Sequence, residues 1–133
     1  MQSSEIITLV SVFVAFASVI VAIAAICIAV ILFKRTVTLQ VETFILSAYK
    51  DYMDMMYIEA KEEHKNNART RFLMAIDLYC KYVINGHLDK KLSDDNLHFY
   101  GECIKAFKDE IKENIKDYNN IADYTQRYNI SLD

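Results

Sequence analysis

The chain has 133 residues, with fifteen Lys and Arg against eighteen Asp and Glu, for a formal net charge of −3 with His neutral. That balance argues against nucleic acid as a partner held by bulk attraction, which needs a clearly basic domain or face. Two glycines and no proline leave little punctuation for a turn-rich β architecture, and three cysteines without zinc-type spacing argue against a disulfide scaffold or a structural zinc site.

From Ile6 to Phe33 the chain runs through twenty-eight consecutive residues without Asp, Glu, Lys, Arg, His or Pro. At about 1.5 Å per residue such a helix covers roughly 42 Å, enough to cross a hydrocarbon core of roughly 30 Å with some tilt. The predicted organisation is a short extracytoplasmic tail over residues 1–5, a transmembrane helix over residues 6–33 and a cytoplasmic helical domain over residues 34–133. A cleaved signal peptide is the competing reading. Against it, residues 1–4 carry no basic n-region, and the apolar run is about twice the usual length. Every Lys and Arg follows Phe33, so Lys34 and Arg35 serve as membrane-interface anchors, and the positive-inside rule places the N-terminus outside.

Within the apolar run, Ser11, Ala15, Ser18, Ala22, Ala25 and Ala29 recur at steps of four and three. Lipid is as apolar as leucine, so burial does not drive helices together in a membrane; close backbone packing past small residues does. A 3.5-residue repeat of small side chains predicts a narrow self-association seam with left-handed coiling. Ala17 and Ala24 form a second, partial strip, which allows more than a dimer.

Beyond the span, Val37, Val41, Phe44, Ile45, Ala48, Tyr49, Tyr52, Met53 and Met56 lie at helical spacing, with a bend allowed at the β-branched Thr36-Val37-Thr38. That helix should end in the polar stretch 62–67. A second carries Phe72, Leu73, Ile76, Tyr79, Cys80, Val83 and Ile84 on one face and stops at Asn85-Gly86. Arg69 and Asp77 on the same helix suggest a half-buried ion pair. A third long helix is predicted from Ser93 as N-cap, with Leu92 and Leu97 as staple and a stripe of Leu97, Tyr100, Ile104, Phe107, Ile111, Ile115 and Tyr118. Ile121–Tyr128 allows a short fourth. The fold class is therefore all-α: one N-terminal transmembrane helix, then a small cytoplasmic bundle of three long helices with room for a short fourth.

Little here points to catalysis. There is no glycine loop for phosphate, no serine elbow and no paired-histidine motif. Asp94, His98 and Glu102 share a helical stripe, but residues on successive turns span roughly 12 Å, too far to grip one ion. No metal, cofactor or catalytic residue is expected. Lys105, Lys108, Lys112 and Lys116 form a basic ridge beside an acidic one of Glu102, Asp109, Glu113 and Asp117; such a helix can pair with its own copy or meet an anionic partner.

The layout of one span, then KRTVTLQVETFIL, then RFLMAIDLYCKYVINGHLDKKLSDDN leading into an amphipathic helix, resembles two groups of small bacterial membrane proteins. One is a family of unknown function with the same plan. The other is the membrane-anchored accessory protein of type VI-B CRISPR systems, and that resemblance implies a ring-like pore that strengthens antiviral defence. The Arg-His motif associated with that accessory protein has no counterpart here, since no arginine is followed by histidine at four to six residues. The sequence thus points to a non-enzymatic, single-pass, self-associating protein of the bacterial inner membrane. Its expected partners are the lipid bilayer, further copies of itself and a protein of a defence system. The alternative is a tether whose helical module binds a soluble protein without forming a pore.

Overall fold

A computed structural model describes residues 2–133; Met1, in the expected tail, lies outside the described residues. The elements are α1 (Gln2–Tyr57), α2 (Glu62–Ile84), α3 (Lys90–Asp95), α4 (Leu97–Ala106), α5 (Lys108–Glu113) and α6 (Asn119–Arg127), with no strand among the described residues. By its contacts the chain divides into two units, Met1–Phe33 and Lys34–Asp133.

The first unit is helical throughout its described residues, and its apolar window is long enough to cross a membrane, with none of it buried inside the chain. No glycine or proline interrupts it. Its hydroxyls turn back onto their own helix, as when Ser11 Oγ donates to the Ile7 carbonyl and Ser18 Oγ to that of Val14, each at 2.8 Å.

The second unit opens with the later part of α1, which buries Thr38, Val41, Ile45 and Ala48 in one stripe. The helix carries on through Thr36-Val37-Thr38 without a break and ends at Tyr57, earlier than the sequence pattern suggests. After a short turn, α2 buries Ala68, Phe72, Leu73, Ala75, Ile76, Tyr79 and Cys80. It stops as expected: Gly86 takes a φ of +69°, and the His87 amide reaches back to the Tyr82 carbonyl at 3.0 Å, closing a left-handed cap that favours glycine.

The predicted third long helix is instead three short ones. The path from Lys90 is interrupted at Asn96, Phe107 and Asn114. Tertiary contacts compete with helix continuation at the first two points. Asn96 donates its side-chain amide to Glu42 at 2.8 Å, and the Phe107 ring sits edge-on to Tyr52 and Phe72 at 5.7 and 6.0 Å. Ser93 is not the N-cap; Asp89 is, its carboxylate accepting from the Leu92 amide at 3.1 Å. Ser93 lies buried inside α3, where its carbonyl accepts the Tyr79 hydroxyl at 3.1 Å. The apolar stripe is nonetheless used: Tyr100, Ile104, Ile111 and Tyr118 are buried.

The short fourth helix exists as α6, packed against α2. Arg69 pairs with Glu110 at 3.4 Å rather than with Asp77. The Asp77 carboxylate instead accepts from the Ile121 amide at 2.9 Å and from the Asn120 side chain at 2.7 Å, supplying from α2 the cap that α6 lacks. Asp77→Ala should therefore cost about 1 kcal/mol and lower the melting temperature by about 4–8 °C, with Asp77→Asn retaining most of it; thermal unfolding followed by tyrosine fluorescence checks this.

Candidate functional site

All six seam positions, Ser11, Ala15, Ser18, Ala22, Ala25 and Ala29, are exposed on α1. Ser18, Ala22 and Ala25, with Ala17 of the second strip, floor a shallow trough walled by Phe13, Val14 and Val21. Because both serine hydroxyls are bonded to their own backbone, the seam presents only small surfaces and no unpaired donor to its surroundings.

The same spacing carries on past the apolar run. Leu39, Thr43 and Leu46 continue the four-and-three steps, and they too are exposed, Leu39 at 55% and Leu46 at 58%. Thr43 turns its hydroxyl onto the Leu39 carbonyl at 2.7 Å. At 100° per residue this stripe lies about 150° round the helix from the buried stripe of Thr38, Val41, Ile45 and Ala48. It faces away from the unit's own core. Leucine at one heptad position and a β-branched residue at the other is the pattern that suits a two-stranded parallel coil.

Lys34 and Arg35 stand at the start of the second unit, and the structure joins them to residues far along the chain. Thr38, completely buried, donates its hydroxyl to the Lys34 carbonyl at 2.7 Å and accepts the Asp89 amide at 2.8 Å. Arg35 Nε lies 3.5 Å from the Asp89 carboxylate. The Leu92 amide and the Arg35 guanidinium hold that carboxyl below the usual carboxylate range. Sequence spacing does not reveal this junction, although a threonine completely buried one turn after Lys34 is its signature in the fold.

The lysine ridge is divided by the helix breaks. Lys105 ends α4 and pairs with Glu102 at 3.2 Å; Lys108 and Lys112 belong to α5, Lys112 reaching Asp133 at 3.3 Å; Lys116 follows in a turn. Burial raises the Tyr79, Tyr100 and Tyr124 hydroxyls above the ordinary tyrosine value, and the neighbouring tyrosines and carboxylates add to it. It pushes the Cys103 thiol up to about 11 and that of Cys80 well above its ordinary value, so neither is a ready thiolate at neutral pH. No group of three or more His, Cys, Asp or Glu residues could hold a metal ion among the described residues.

A hollow of about 580 Å³ in the second unit lies between α1 and α2. Phe44, Ala48, Ala68, Met74 and Leu78 line it with apolar surface, while Asp51, Arg71, Lys81 and Asp117 supply charges of both signs. Fold and surface together define an all-helical protein with one helix long and apolar enough to cross a membrane. No protein-family model, curated protein or solved structure matches the chain.

Proposed function

We propose that the protein is a single-pass membrane protein of the bacterial inner membrane, N-terminus outside and residues 34–133 in the cytoplasm, which self-associates in parallel along one face of α1. The observation that carries this reading is the exposed Leu39-Thr43-Leu46 stripe, which repeats in sequence the four-and-three spacing of the small residues and points away from the second unit's core. A common orientation in the bilayer brings identical positions of two copies face to face, so the same residues serve both partners. Small residues then let the spans approach inside the membrane, and leucines bury apolar area in water outside it.

The chain carries its own control. Cys27 is exposed but lies about 155° from the seam, so a parallel pair keeps the two Cys27 thiols apart. In native vesicles, with Cys103 replaced by serine, Ala25→Cys and Thr43→Cys are expected to give disulfide-linked dimers on mild oxidation, while the chain holding only Cys27 and the buried Cys80 stays monomeric on a denaturing gel. Absence of dimers from both variants, or equal dimer from that control chain, would falsify the proposal.

The hollow between α1 and α2 favours a second reading, a tether whose helical module binds a soluble protein. Pore formation and antiviral defence rest on the resemblance alone. Dye leakage from vesicles carrying the chain is the measurement that separates a pore from a tether.

A further inference from the structure

We infer that Lys34, Arg35, Lys90 and Lys91 form a basic collar that binds anionic phospholipid headgroups where the chain leaves the bilayer. The inference rests on the reading of Ile6–Phe33 as a span, because Lys34 follows directly on its last apolar residue.

Lys90 and Lys91 come more than fifty residues after Lys34, and the fold brings them back to it. The loop after Gly86 is fastened to α1 by the Asp89 amide on the buried Thr38 hydroxyl, at 2.8 Å, and by the Asp89 carboxylate beside Arg35, at 3.5 Å. Leu88 is buried just before it. The two lysines that follow are then held in place by their neighbours while their own side chains remain exposed. Lys34 and Lys90 line one pocket of about 240 Å³, together with Ser93, Asp94 and Tyr128.

Around this pocket Lys34, Arg35, Lys90 and Lys91 face Asp89, Asp94 and Asp95, the last two one turn after Lys90 and Lys91 on α3. Asp89 is engaged by Arg35 and by the Leu92 amide, which leaves the three lysines as the groups able to meet an outside anion. Lysine suits a phosphate as a mobile point charge, and its long stem lets the ammonium reach the headgroup level. A soluble phosphate would satisfy the same chemistry. The position of Lys34 at the end of the apolar run favours the phosphate that the membrane already holds there, since no association entropy is spent in bringing it.

Basic residues near an anionic surface contribute about 1 kcal/mol each, or about five-fold in lipid preference. The test uses the full chain in phosphatidylcholine vesicles containing a minor share of phosphatidylglycerol, reading enrichment of labelled phosphatidylglycerol around the protein. Lys90→Gln with Lys91→Gln is expected to lower that enrichment by roughly an order of magnitude, and added salt should weaken it in the unmodified chain. Lys50→Gln with Lys61→Gln removes the same charge from two exposed lysines outside the collar and should leave it intact. An equal loss in both pairs, no loss in the first, or displacement of the lipid by dilute glycerol phosphate overturns the collar. Alkaline carbonate extraction of the same vesicles tests the span separately. A chain that resists extraction yet shows no lipid preference refutes the collar and leaves the span standing, whereas a chain that is extracted removes the ground for both.

Discussion

Ala22→Leu is expected to abolish self-association in the membrane while residues 34–133 stay folded. Ala22 stands mid-seam, exposed, on the floor of the trough it shares with Ala17, Ser18 and Ala25. A leucine there adds three heavy atoms where the proposed pair would bring two backbones together, and overpacking a close contact costs about 1–3 kcal/mol, roughly five- to a hundred-and-fifty-fold in dissociation constant. Energy transfer between labelled copies in vesicles, diluted with unlabelled lipid, reads the loss. The comparison variant is Ala24→Leu, which makes the same chemical change roughly a third of a turn from the seam. A dimer tolerates it; a closed ring, which needs two faces of every span, does not. Undiminished transfer in Ala22→Leu would remove the seam from the account, whatever Ala24→Leu does.

The apolar helix, the placement of small residues along it, the stop at Asn85-Gly86 and the short terminal helix were all legible in the sequence, because each depends on local periodicity or on one residue's backbone freedom. What escaped was set by contacts between distant residues. Nothing in the pattern Leu97, Tyr100, Ile104, Phe107, Ile111 announces a break, since a helix interrupted at Asn96 and Phe107 can still bury the same stripe. Arg69 and Asp77 share a helix and invite pairing, yet one meets α5 and the other caps α6. The Leu39-Thr43-Leu46 stripe was present as spacing, but its significance depends on knowing that Val41, Ile45 and Ala48 take the core, which leaves Leu39 and Leu46 outside. The collar is the clearest case: Thr38 and Asp89 look like ordinary polar residues until a hydrogen bond joins them across fifty positions.

The largest loss of stability is expected from Phe72→Ala. Phe72 is 1% exposed and stands at the centre of an aromatic group, with Tyr49 at 5.3 Å and with Tyr52 and Phe107 each at 6.0 Å between ring centroids. Removing it forfeits the transfer energy of a full ring and leaves a cavity that three other rings line, a cost of about 3–5 kcal/mol and a fall in melting temperature of roughly 15–30 °C. Phe99→Ala deletes the same atoms where the ring is 38% exposed and should cost less than half as much. The chain contains nine tyrosines and no tryptophan, so near-ultraviolet dichroism of tyrosine follows the packing directly. The same variant bears on why the chain bends at Phe107. If the ring of Phe72 helps to draw Phe107 out of helical geometry, its loss lets α4 and α5 join, and amide exchange at Lys108 and Asp109 should slow relative to the rest of the unit even as the whole becomes less stable. Uniform acceleration across α4 and α5 would instead mean that the break is local, and that the aromatic group merely fills the space the bend leaves.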